Sequence, residues 1–388
     1  MNGASVYITG FAQTPCGRFG DETLSSLAIR ALDGALADAD LGPERVDAIF
    51  FANALAGLMT GQECVRGQVA LRHSRYGGIP IVNVDNACAS GSTALHLAGQ
   101  AVAAGSYGTV AVVGAEKMSD PDRSKPIRAL AGAADVALLS DSTEDHSVFM
   151  DSYAERAQRR IDEQGWQPSD FAEVVVKNRA HAAGNPGAQY RDALTVEQVL
   201  GSRMISPPLT LPMCSPIGDG AAAVLVSGAP ARDGPRIRIR ASALSATGGA
   251  APGSVVQRAM ATAREQSGLA ADDVGVIEIH DATASAELEA YEHLGLAPAG
   301  EGNRLIAERR TVLGGSLPVN TNGGLISRGH PVGATGVLQI AELITQLTGR
   351  AGQRQIDPAP TLALAQNAGG FVEGDNAVGV ITILEREG

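Results

Sequence analysis

The spacing of apolar residues along the chain predicts a regular alternation of helices and strands. Apolar side chains recur every three or four positions over residues 24–41, which is helical spacing, and a short apolar strand follows at residues 46–51. Residues 255–279 repeat this order, with a helical pattern up to Gly268 and then a strand over residues 274–279. Alternation of this kind predicts mostly parallel sheets that are covered by helices.

The chain also repeats itself internally. A shift of 228 residues (259 − 31 = 228) places Ala31 on Ala259, and four further apolar positions of the same segment coincide under that shift. A second match pairs a strand, a helix and a strand, over residues 81–84, 90–105 and 110–113, with residues 317–321, 334–347 and 361–365. The repeat predicts one compact αβαβα unit made of two similar halves.

This repeat divides the chain into three parts. The first half covers residues 1–116 and returns at residues 219–228, where the segment DGAAAVLV has strand character, and the second half covers residues 236–388. Residues 117–218 are richer in charge, proline and glycine, and they predict an inserted loop region that shapes the substrate site. We expect the linker between the halves at residues 229–235.

Composition and charge narrow the classes of function. The chain has 30 Lys and Arg against 42 Asp and Glu, and the net charge of −12 argues against a nucleic-acid or anionic-membrane partner. No apolar run approaches the roughly 18 residues of a membrane span, and the start lacks a signal-peptide pattern, so we expect a cytoplasmic protein. Four widely separated cysteines and no HExxH motif predict neither a disulfide framework nor a metal centre.

Cys88 is the first candidate catalytic residue. It lies in the segment NACASG (86–91), between a predicted strand and the start of a predicted helix. The aligned peptide dipoles at a helix N-terminus lower the pKa of a thiol and favour the nucleophilic thiolate. From position alone, a small buried side chain without a chemical role is an equal alternative.

Two histidines stand where they can serve that thiol. His330 lies in the segment NTNGGLISRGHPVGATG (320–336), which the repeat places opposite the Cys88 turn, so it can accept the thiol proton. His280 ends a predicted strand, and its ring N–H suits a developing oxyanion. The segment QNAGG (366–370) ends another strand and offers backbone N–H donors of the same use. A helix cap at His330 and an ordinary tight turn at 366–370 are the alternatives.

Taken together, these motifs resemble the thiolase superfamily. The likeness extends over residues 6–384, and its most specific part is NxNGG followed by GHPxGATG, with Cys88, GAEKMS (114–119) and QNAGG in agreement. The nearest resemblance is to the thiolases related to sterol carrier protein 2 and to the acetyl-CoA acetyltransferase branch of bacteria and archaea. It implies a duplicated five-layered αβαβα fold, which agrees with the repeat.

The resemblance implies acyl transfer from coenzyme A thioesters without a tightly bound cofactor. Cys88 would carry the acyl group as a thioester, His330 would activate it, and His330 with His280 would face one thioester oxygen. The backbone N–H groups of Cys88 and of Gly369 or Gly370 would form a second oxyanion site. A Claisen step would then join the acyl group to the carbanion of a second acyl-CoA, or thiolysis would run the reaction backwards.

The sequence indicates the residues that contact the rest of the substrate less clearly. Asn320, Asn322 and Asn367 are candidates near the acyl group, and Ser245 and Thr247 are candidates in a loop along which pantetheine would lie.

The chain departs from the thiolase pattern at the second acid/base residue. Conventional members carry a second cysteine in a CxG motif near the C-terminus, where this chain has Asn367 or Ala368. Relatives of the sterol carrier type often carry that cysteine in HDCF, where this chain reads HDAT (280–283), and Cys214 fits a structural position. The group that deprotonates a second substrate is therefore unassigned, and an acceptor with its own nucleophilic carbon, nitrogen or oxygen stays open.

Three other interpretations stay open from the sequence. Some relatives are retro-aldolases that act with a partner carrying a zinc ribbon and an OB-fold, although Cys88 and His330 are both present here. An elongating ketosynthase, with an acyl carrier protein as donor, shares the Cys-His-His set but lacks NxNGG. A non-catalytic scaffold subunit is the third. For assembly we expect a homodimer or a dimer of dimers, because the central helix and strand edges of such folds commonly pair two chains.

Overall fold

A computed structural model of the chain describes residues 5–138, 147–248 and 252–388. The strands within these ranges are β1 (Tyr7–Gln13), β2 (Ala48–Ala52), β3 (Ile81–Val84), β4 (Thr109–Glu116), β5 (Met204–Ser206), β6 (Leu209–Thr210), β7 (Gly220–Ser227), β8 (Arg236–Ala246), β9 (Val276–Glu278), β10 (Leu362–Gly369) and β11 (Val378–Glu387). The α-helices are α1 (Leu24–Asp38), α2 (Ala56–Thr60), α3 (Arg66–Leu71), α4 (Ser90–Ala103), α5 (Ser124–Ala131), α6 (Val148–Gln164), α7 (Pro168–Ala183), α8 (Val196–Leu200), α9 (Val255–Ser267), α10 (Ala284–His293), α11 (Gly302–Ala307), α12 (Gly324–Arg328) and α13 (Thr335–Leu347).

The strand order shows the internal repeat. One large sheet runs β3-β2-β4-β7-β1-β8-β11-β10-β9, while β5 and β6 form a separate pair. The halves meet where β1 pairs with β8 at Tyr7 and Ile8 only. Counted outwards from that line, β1, β7, β4 and β2 stand in the same order as β8, β11, β10 and β9. A parallel bridge between Ile277 and Val319 stands where β3 pairs with β2 in the first half. This order supports the proposed division into 1–116 with 219–228 and 236–388.

The expectation of mostly parallel sheets was wrong. β2 runs parallel to β3 and to β4, and β10 runs parallel to β9, but the pairings of β1, β7, β8 and β11 are antiparallel. The physical reason is the connection: β11 follows β10 after a few residues, and a connection that short can only reverse the chain. The fold is thus a mixed α/β architecture.

The two halves of the sheet form two layers, with helices on the outer face of each half and between the halves. α1 packs on β1, β4 and β7, and α9 packs on β8 and β11, so these two helices form the outer layers. α4 and α13 contact strands of both halves and contact each other. The order helix, sheet, helix, sheet, helix is the expected five-layered αβαβα arrangement. Each outer helix begins as the sequence pattern suggests, with a Thr23 or Ser254 side chain that accepts a backbone N–H in the first turn.

The segment 117–218, expected as a loop region, is largely helical where it is described; its residues 139–146 lie outside the described ranges. α6 and α7 bury Trp166 and Phe171 in the core of the second half, with ring centroids 6.2 Å apart. Burial of these large side chains against α10 and α11 stabilises α6 and α7. The many polar residues of these two helices make their helical pattern hard to recognise in the sequence. No helix in the described ranges combines the length and apolar character that crossing a bilayer requires.

Candidate active site

Cys88 lies in a strained turn between β3 and α4. Ala87 before it has a φ of 49°, a left-handed conformation that alanine rarely adopts. The Oδ1 atom of Asp85 accepts a hydrogen bond from the N–H of Ala87 at 3.0 Å, and the N–H of Ser90 donates to the carbonyl of Ala87 at 3.1 Å. These bonds hold a turn that costs roughly 1–3 kcal/mol and place the thiol directly before α4.

The fold brings Cys88, His280 and His330 together. The Cys88 sulfur and a ring nitrogen of each histidine lie within 4.8 Å of one another. The two imidazole centroids are 5.1 Å apart, with the ring planes at 80°. The three side chains are only 9%, 5% and 7% exposed. The fold therefore brings a sulfur and an imidazole that are separated by 242 positions (330 − 88 = 242) within 4.8 Å of each other.

Close packing of α4 on α13 explains why the two halves meet at this point. Gly336 in the first turn of α13 lies against Ser92 of α4, and a Cβ at position 336 would overlap the backbone of Ser92. Any larger residue there would push the two helices apart. Since His330 precedes α13 and Cys88 precedes α4, that displacement would separate the base from the thiol.

Glu116 at the end of β4 links the two halves beside the site. Its buried carboxylate accepts hydrogen bonds from the N–H of Ala54 at 3.0 Å and from the N–H of Gly333 at 2.9 Å. The side-chain amide of Asn53 donates to it at 2.7 Å. Burial raises the pKa of Glu116 to about 7. Through these bonds the loop that carries His330 is tied to the first half.

Burial, followed by the charge of Glu116, raises the pKa of the Cys88 thiol to about 12. The backbone N–H groups of Cys88 itself and of Gly370 lie near the sulfur and oppose that rise. The expectation of a lowered thiol pKa was wrong, because desolvation outweighs the helix dipole for a thiol this deeply buried. A thiol that is neutral at physiological pH needs a base in order to attack a substrate.

Thr335 determines which ring nitrogen of His330, the candidate for that base, carries the proton. The Thr335 hydroxyl donates its one proton to the carbonyl of Pro331 at 3.0 Å, so its oxygen accepts from Nδ1–H of His330 at 2.7 Å. The lone pair of Nε2 is then left for the thiol proton. Burial, and then the neighbouring His280, hold the pKa of His330 well below its usual range, so the ring is neutral at physiological pH.

Glycines bring the end of β10 against the Cys88 turn. Gly369 forms the last ladder pair of β10 with Val378 and passes so near the turn that a Cβ there would overlap the carbonyl oxygen of Asn86. The next residue, Gly370, has a φ of 66° and directs its N–H to the Cys88 sulfur. This geometry favours Gly370 over Gly369 as the oxyanion donor that accompanies the N–H of Cys88.

Asn320 and Asn322 hold the framework beneath the histidines. Asn320 donates to Glu287 at 2.8 Å and accepts from the N–H of Ile279 at 2.8 Å. Asn322 donates to Glu278 at 2.8 Å and accepts a backbone N–H through its Oδ1 atom. Both side chains are buried, and their amides are used inside the protein. We therefore assign them a supporting role in place of the substrate contact expected from the sequence.

The other candidate contacts lie at the edge of the second half. Ser245 belongs to β8 and is not in a loop, and the Thr247 hydroxyl donates to the carbonyl of Asn376 at 2.6 Å. The expected pantetheine loop, residues 245–249, ends at Gly249, which lies outside the described ranges. Asn376 also lines a small cavity beside His280, so this loop lies near the site.

That cavity has a volume of about 20 Å³ and a wall of both polar and apolar side chains. Arg156 of α6 forms an ion pair with Glu289 of α10 and lies over the ring of Tyr153, with its guanidinium 5.7 Å from the ring centroid. The lining residues are Tyr153, Arg156, Val256, His280, Ala286, Glu289, Ala290, His293, Gln366, Ala368 and Asn376. The insertion therefore contributes Tyr153 and Arg156 to the wall of this cavity, and its role in shaping the substrate site stays a prediction from the sequence.

Supporting residues were missed in the sequence. Glu116 and Thr335 lie inside the GAEKMS and GHPVGATG motifs, so a closer interpretation of those motifs would have found them. Gln339 gave no signal, because a single glutamine in an apolar helical segment carries no periodic pattern. Its bond to the carbonyl of Gln366 exists only after α13 packs on β10.

Cys88, His280 and His330 are also the one group of three Cys, His or acidic residues, among those described, whose atoms lie close enough to hold a metal ion. Sulfur and imidazole nitrogen are ligands that zinc uses. The hydrogen bond to Nδ1 of His330 leaves Nε2 for proton transfer just as it would leave it for a metal. The absence of a resident metal stays a prediction from the sequence.

Comparison with protein families covers both halves of the chain. The profile described as thiolase, N-terminal domain, matches residues 6–202, and the profile described as thiolase C-terminal domain-like matches residues 242–384.

Relatives match over nearly the whole chain. An acetyl-CoA acetyltransferase of Methanothermobacter thermautotrophicus is 37% identical over 94% of this chain and 96% of its own length. The benzoylsuccinyl-CoA thiolase subunit BbsB of Thauera aromatica is 33% identical over 96% of each chain. Human sterol carrier protein 2 is 34% identical over 94% of this chain and 70% of its own length. These matches confirm the branch suggested by the motifs.

A solved structure supports the same assignment. The Ltp2-ChsH2(DUF35) aldolase superposes with a TM-score of 0.77 at 25% sequence identity, over 97% of this chain and 97% of that chain. Family profiles, relatives and fold agree with the geometry of the Cys-His-His site. The chain belongs to the thiolase family and is a thiolase-type acyltransferase.

Proposed function

We propose that this chain transfers an acyl group from a coenzyme A thioester by way of a thioester on Cys88. The observation that carries the proposal is the grouping of the Cys88 sulfur with ring nitrogens of His330 and His280 within 4.8 Å. Acyl transfer needs a nucleophile, a base and a donor to the developing oxyanion in such an arrangement. The acetyl-CoA acetyltransferase among the relatives supports coenzyme A thioesters as substrates, without a tightly bound cofactor. A cytoplasmic location is part of the same proposal.

In the first half-reaction, Nε2 of His330 takes the Cys88 proton while the sulfur attacks the thioester carbonyl carbon. The attack gives a tetrahedral intermediate, and its collapse breaks the bond from that carbon to the sulfur of coenzyme A. His330 passes its proton to the departing thiolate, so free coenzyme A leaves and an acyl enzyme remains. The backbone N–H groups of Cys88 and Gly370 donate to the oxyanion of the tetrahedral intermediate.

In the second half-reaction, the acyl group moves to the α-carbon of a second acyl-CoA. That carbon gives a proton to Nε2 of His330, the new C–C bond forms as the S–C bond breaks, and His330 returns the proton to the Cys88 sulfur. His330 is neutral again at this stage, and we assign it as the base here too, because the described residues place no second thiol in the cluster. His280 donates to the enolate oxygen of the second substrate.

Intact-mass spectrometry tests this mechanism. After incubation with acetyl-CoA, the chain should gain about 42 Da, the mass of an acetyl group in place of hydrogen, and peptide mapping should place it on Cys88. Adding a second acyl-CoA should discharge the adduct. Discharge only by an amine, an alcohol or an activated aromatic carbon would assign a different acceptor. No adduct with any short acyl-CoA would instead favour a scaffold subunit.

We expect a strong preference for short acyl groups. The cavity beside His280 has about 20 Å³, room for roughly one water molecule, whereas drug-sized ligand pockets are on the order of 300 Å³ or more. Octanoyl-CoA should acylate Cys88 with a kcat/KM at least roughly 100-fold below that of acetyl-CoA. A panel of acyl-CoA chain lengths with mass detection of the adduct measures this.

Widening the cavity is the control for this preference. Val256→Ala removes two methyl groups from the cavity wall and should raise the relative rate with butyryl-CoA. Val255→Ala makes the same change at a buried neighbour outside the lining and should leave the preference unaltered. Equal rates with acetyl-CoA and octanoyl-CoA would place the acyl chain elsewhere.

We propose a homodimer formed through the edge of the sheet at β3. β3 is an edge strand, and Val82 is 39% exposed on it, which is a surface that commonly pairs with another chain. Light scattering should give twice the mass of the chain at micromolar concentration, and Val82→Lys should shift it to the monomer. Leu211→Lys, a matched change at an exposed residue of the insertion, should remain dimeric. A monomeric native chain would contradict the proposal.

The names of two similar proteins also support a complex with a partner protein. BbsB is a subunit of a benzoylsuccinyl-CoA thiolase, and Ltp2 forms its aldolase with ChsH2(DUF35). We therefore extend the proposal to a partner of the OB-fold and zinc-ribbon type. Light scattering of the complex isolated from native cells would show such a partner as mass beyond that of the dimer.

A further inference from the structure

A chain of buried amides leads to the back of His280. Nε2 of Gln339 donates to the backbone carbonyl of Gln366 at 3.0 Å, and Oε1 of Gln339 accepts from Nδ2 of Asn367 at 2.9 Å. The same Nδ2 atom lies 3.2 Å from Nδ1 of His280. All of these side chains are at most 5% exposed. The chain joins α13, β10 and the loop after β9.

The backbone carbonyl of Gln366, at the end of this series of hydrogen bonds, determines which group donates and which accepts in each bond. A backbone carbonyl can only accept, so Gln339 must turn its NH₂ group to Gln366 and its oxygen to Asn367. Asn367 must then present its NH₂ group, which can only donate, to both Gln339 and His280. Nδ1 of His280 is therefore the acceptor, and the ring proton resides on Nε2. Burial, and then Arg328, lower the pKa of His280 to about 3, so no second proton joins the ring at physiological pH.

We propose that Asn367 is a positioning residue that holds His280 as the tautomer with its proton on Nε2. His280 then presents an N–H, and not a lone pair, to the site it shares with Cys88. The inference rests on the proposed function. Asn367, one of the two residues that match the position of the acid/base cysteine in conventional thiolases, supplies a fixed amide donor. Oδ1 of Asn367 is buried without a hydrogen-bond partner among the described residues, so the donating side of the amide is the side the protein uses.

This assignment gives each half-reaction its own oxyanion donors. The backbone N–H groups at Cys88 and Gly370 serve the acylation step, whereas His280 serves the enolate of the second substrate. Loss of the N–H on His280 should therefore slow the transfer of the acyl group and spare its loading. A purely structural role of Asn367 would slow both steps together.

Asn367→Asp is the decisive variant, because it keeps the shape of the side chain and removes the N–H group. A carboxylate can only accept, so His280 should move its proton to Nδ1 and expose a lone pair at Nε2. Nitrogen-15 NMR of the histidine rings, assigned with His280→Gln, should show Nε2 change from a protonated to an unprotonated nitrogen. Turnover should fall about 10²- to 10³-fold, the usual effect of losing one oxyanion donor, with Cys88 loading within about threefold of the native rate.

Asn367→Ala provides the graded comparison, because it removes the donor without imposing the opposite tautomer. It should show a mixture of tautomers and a smaller loss of turnover than the aspartate. An unprotonated Nε2 in the native protein would overturn the proposal, as would a tautomer change in Asn367→Asp that leaves turnover unchanged. If the native chain forms no adduct on Cys88, the proposed function fails, and the NMR spectrum still decides the tautomer.

Discussion

A Cys88→Ser variant incubated with acetyl-CoA is expected to show no gain in mass, where the native chain gains about 42 Da. Serine keeps the size and place of the side chain, but its hydroxyl holds its proton far more tightly than a thiol does. His330 therefore activates it far less effectively, and turnover should fall about 10⁴-fold or more. Intact-mass spectrometry and a steady-state assay of coenzyme A release measure the two effects.

Cys214 offers a matched control for this experiment. It is as buried as Cys88, at 8% against 9% exposed, and burial likewise raises the pKa of its thiol to about 12. It lies outside the cluster that contains the two histidines. Cys214→Ser should acquire the acyl group at the native rate. An adduct that persists in Cys88→Ser would show that another group carries it.

A His330→Ala variant is expected to load Cys88 about 10³-fold more slowly at neutral pH, since a positioned base contributes roughly 10²- to 10⁴-fold. Without the base, only spontaneous thiolate can react. The pKa of Cys88 is about 12, so thiolate increases about tenfold for each pH unit below that value. Loading by the variant should therefore rise about tenfold per unit from pH 7 to pH 10.

The native rate should stay nearly flat from about pH 8 to pH 10, above the pKa of about 7 of Glu116. The pKa of His330 lies well below 6.5 and that of the thiol near 12, so neither group titrates between pH 7 and pH 10. His96→Ala, at a histidine of α4 that bonds Ser242 away from the cluster, should keep the flat profile. Stopped-flow loading at several pH values makes the comparison. A flat profile in His330→Ala would assign the proton to a different base.

Much of the fold followed from local pattern. The helical spacing at residues 24–41 and 255–279 became α1 and α9, and the repeat became two halves with the same strand order. These features are visible in the sequence because apolar periodicity is a property of neighbouring residues. Strand direction and the helices of the insertion were missed, since both depend on what a segment packs against.

The candidate site likewise contains residues that the sequence predicted and contacts that only the fold revealed. Motifs singled out Cys88, His280 and His330, and the repeat placed the first opposite the last. The expected low thiol pKa did not hold, and Asn320 and Asn322 bond to protein groups. The supporting bonds of Thr335, Glu116 and Gln339 became apparent only when the halves were packed together.

Residue types and their spacing were enough to predict the duplicated architecture and to select Cys88 as the candidate nucleophile, with two candidate imidazoles, because motifs and periodicity are properties of the linear sequence. The protonation states were decided by tertiary structure alone. Burial raises the pKa of Cys88 and lowers those of both histidines, and side chains from distant segments select which ring nitrogen bears the proton. Desolvation and hydrogen-bond direction depend on what surrounds a group in space, and that environment exists only in the folded molecule.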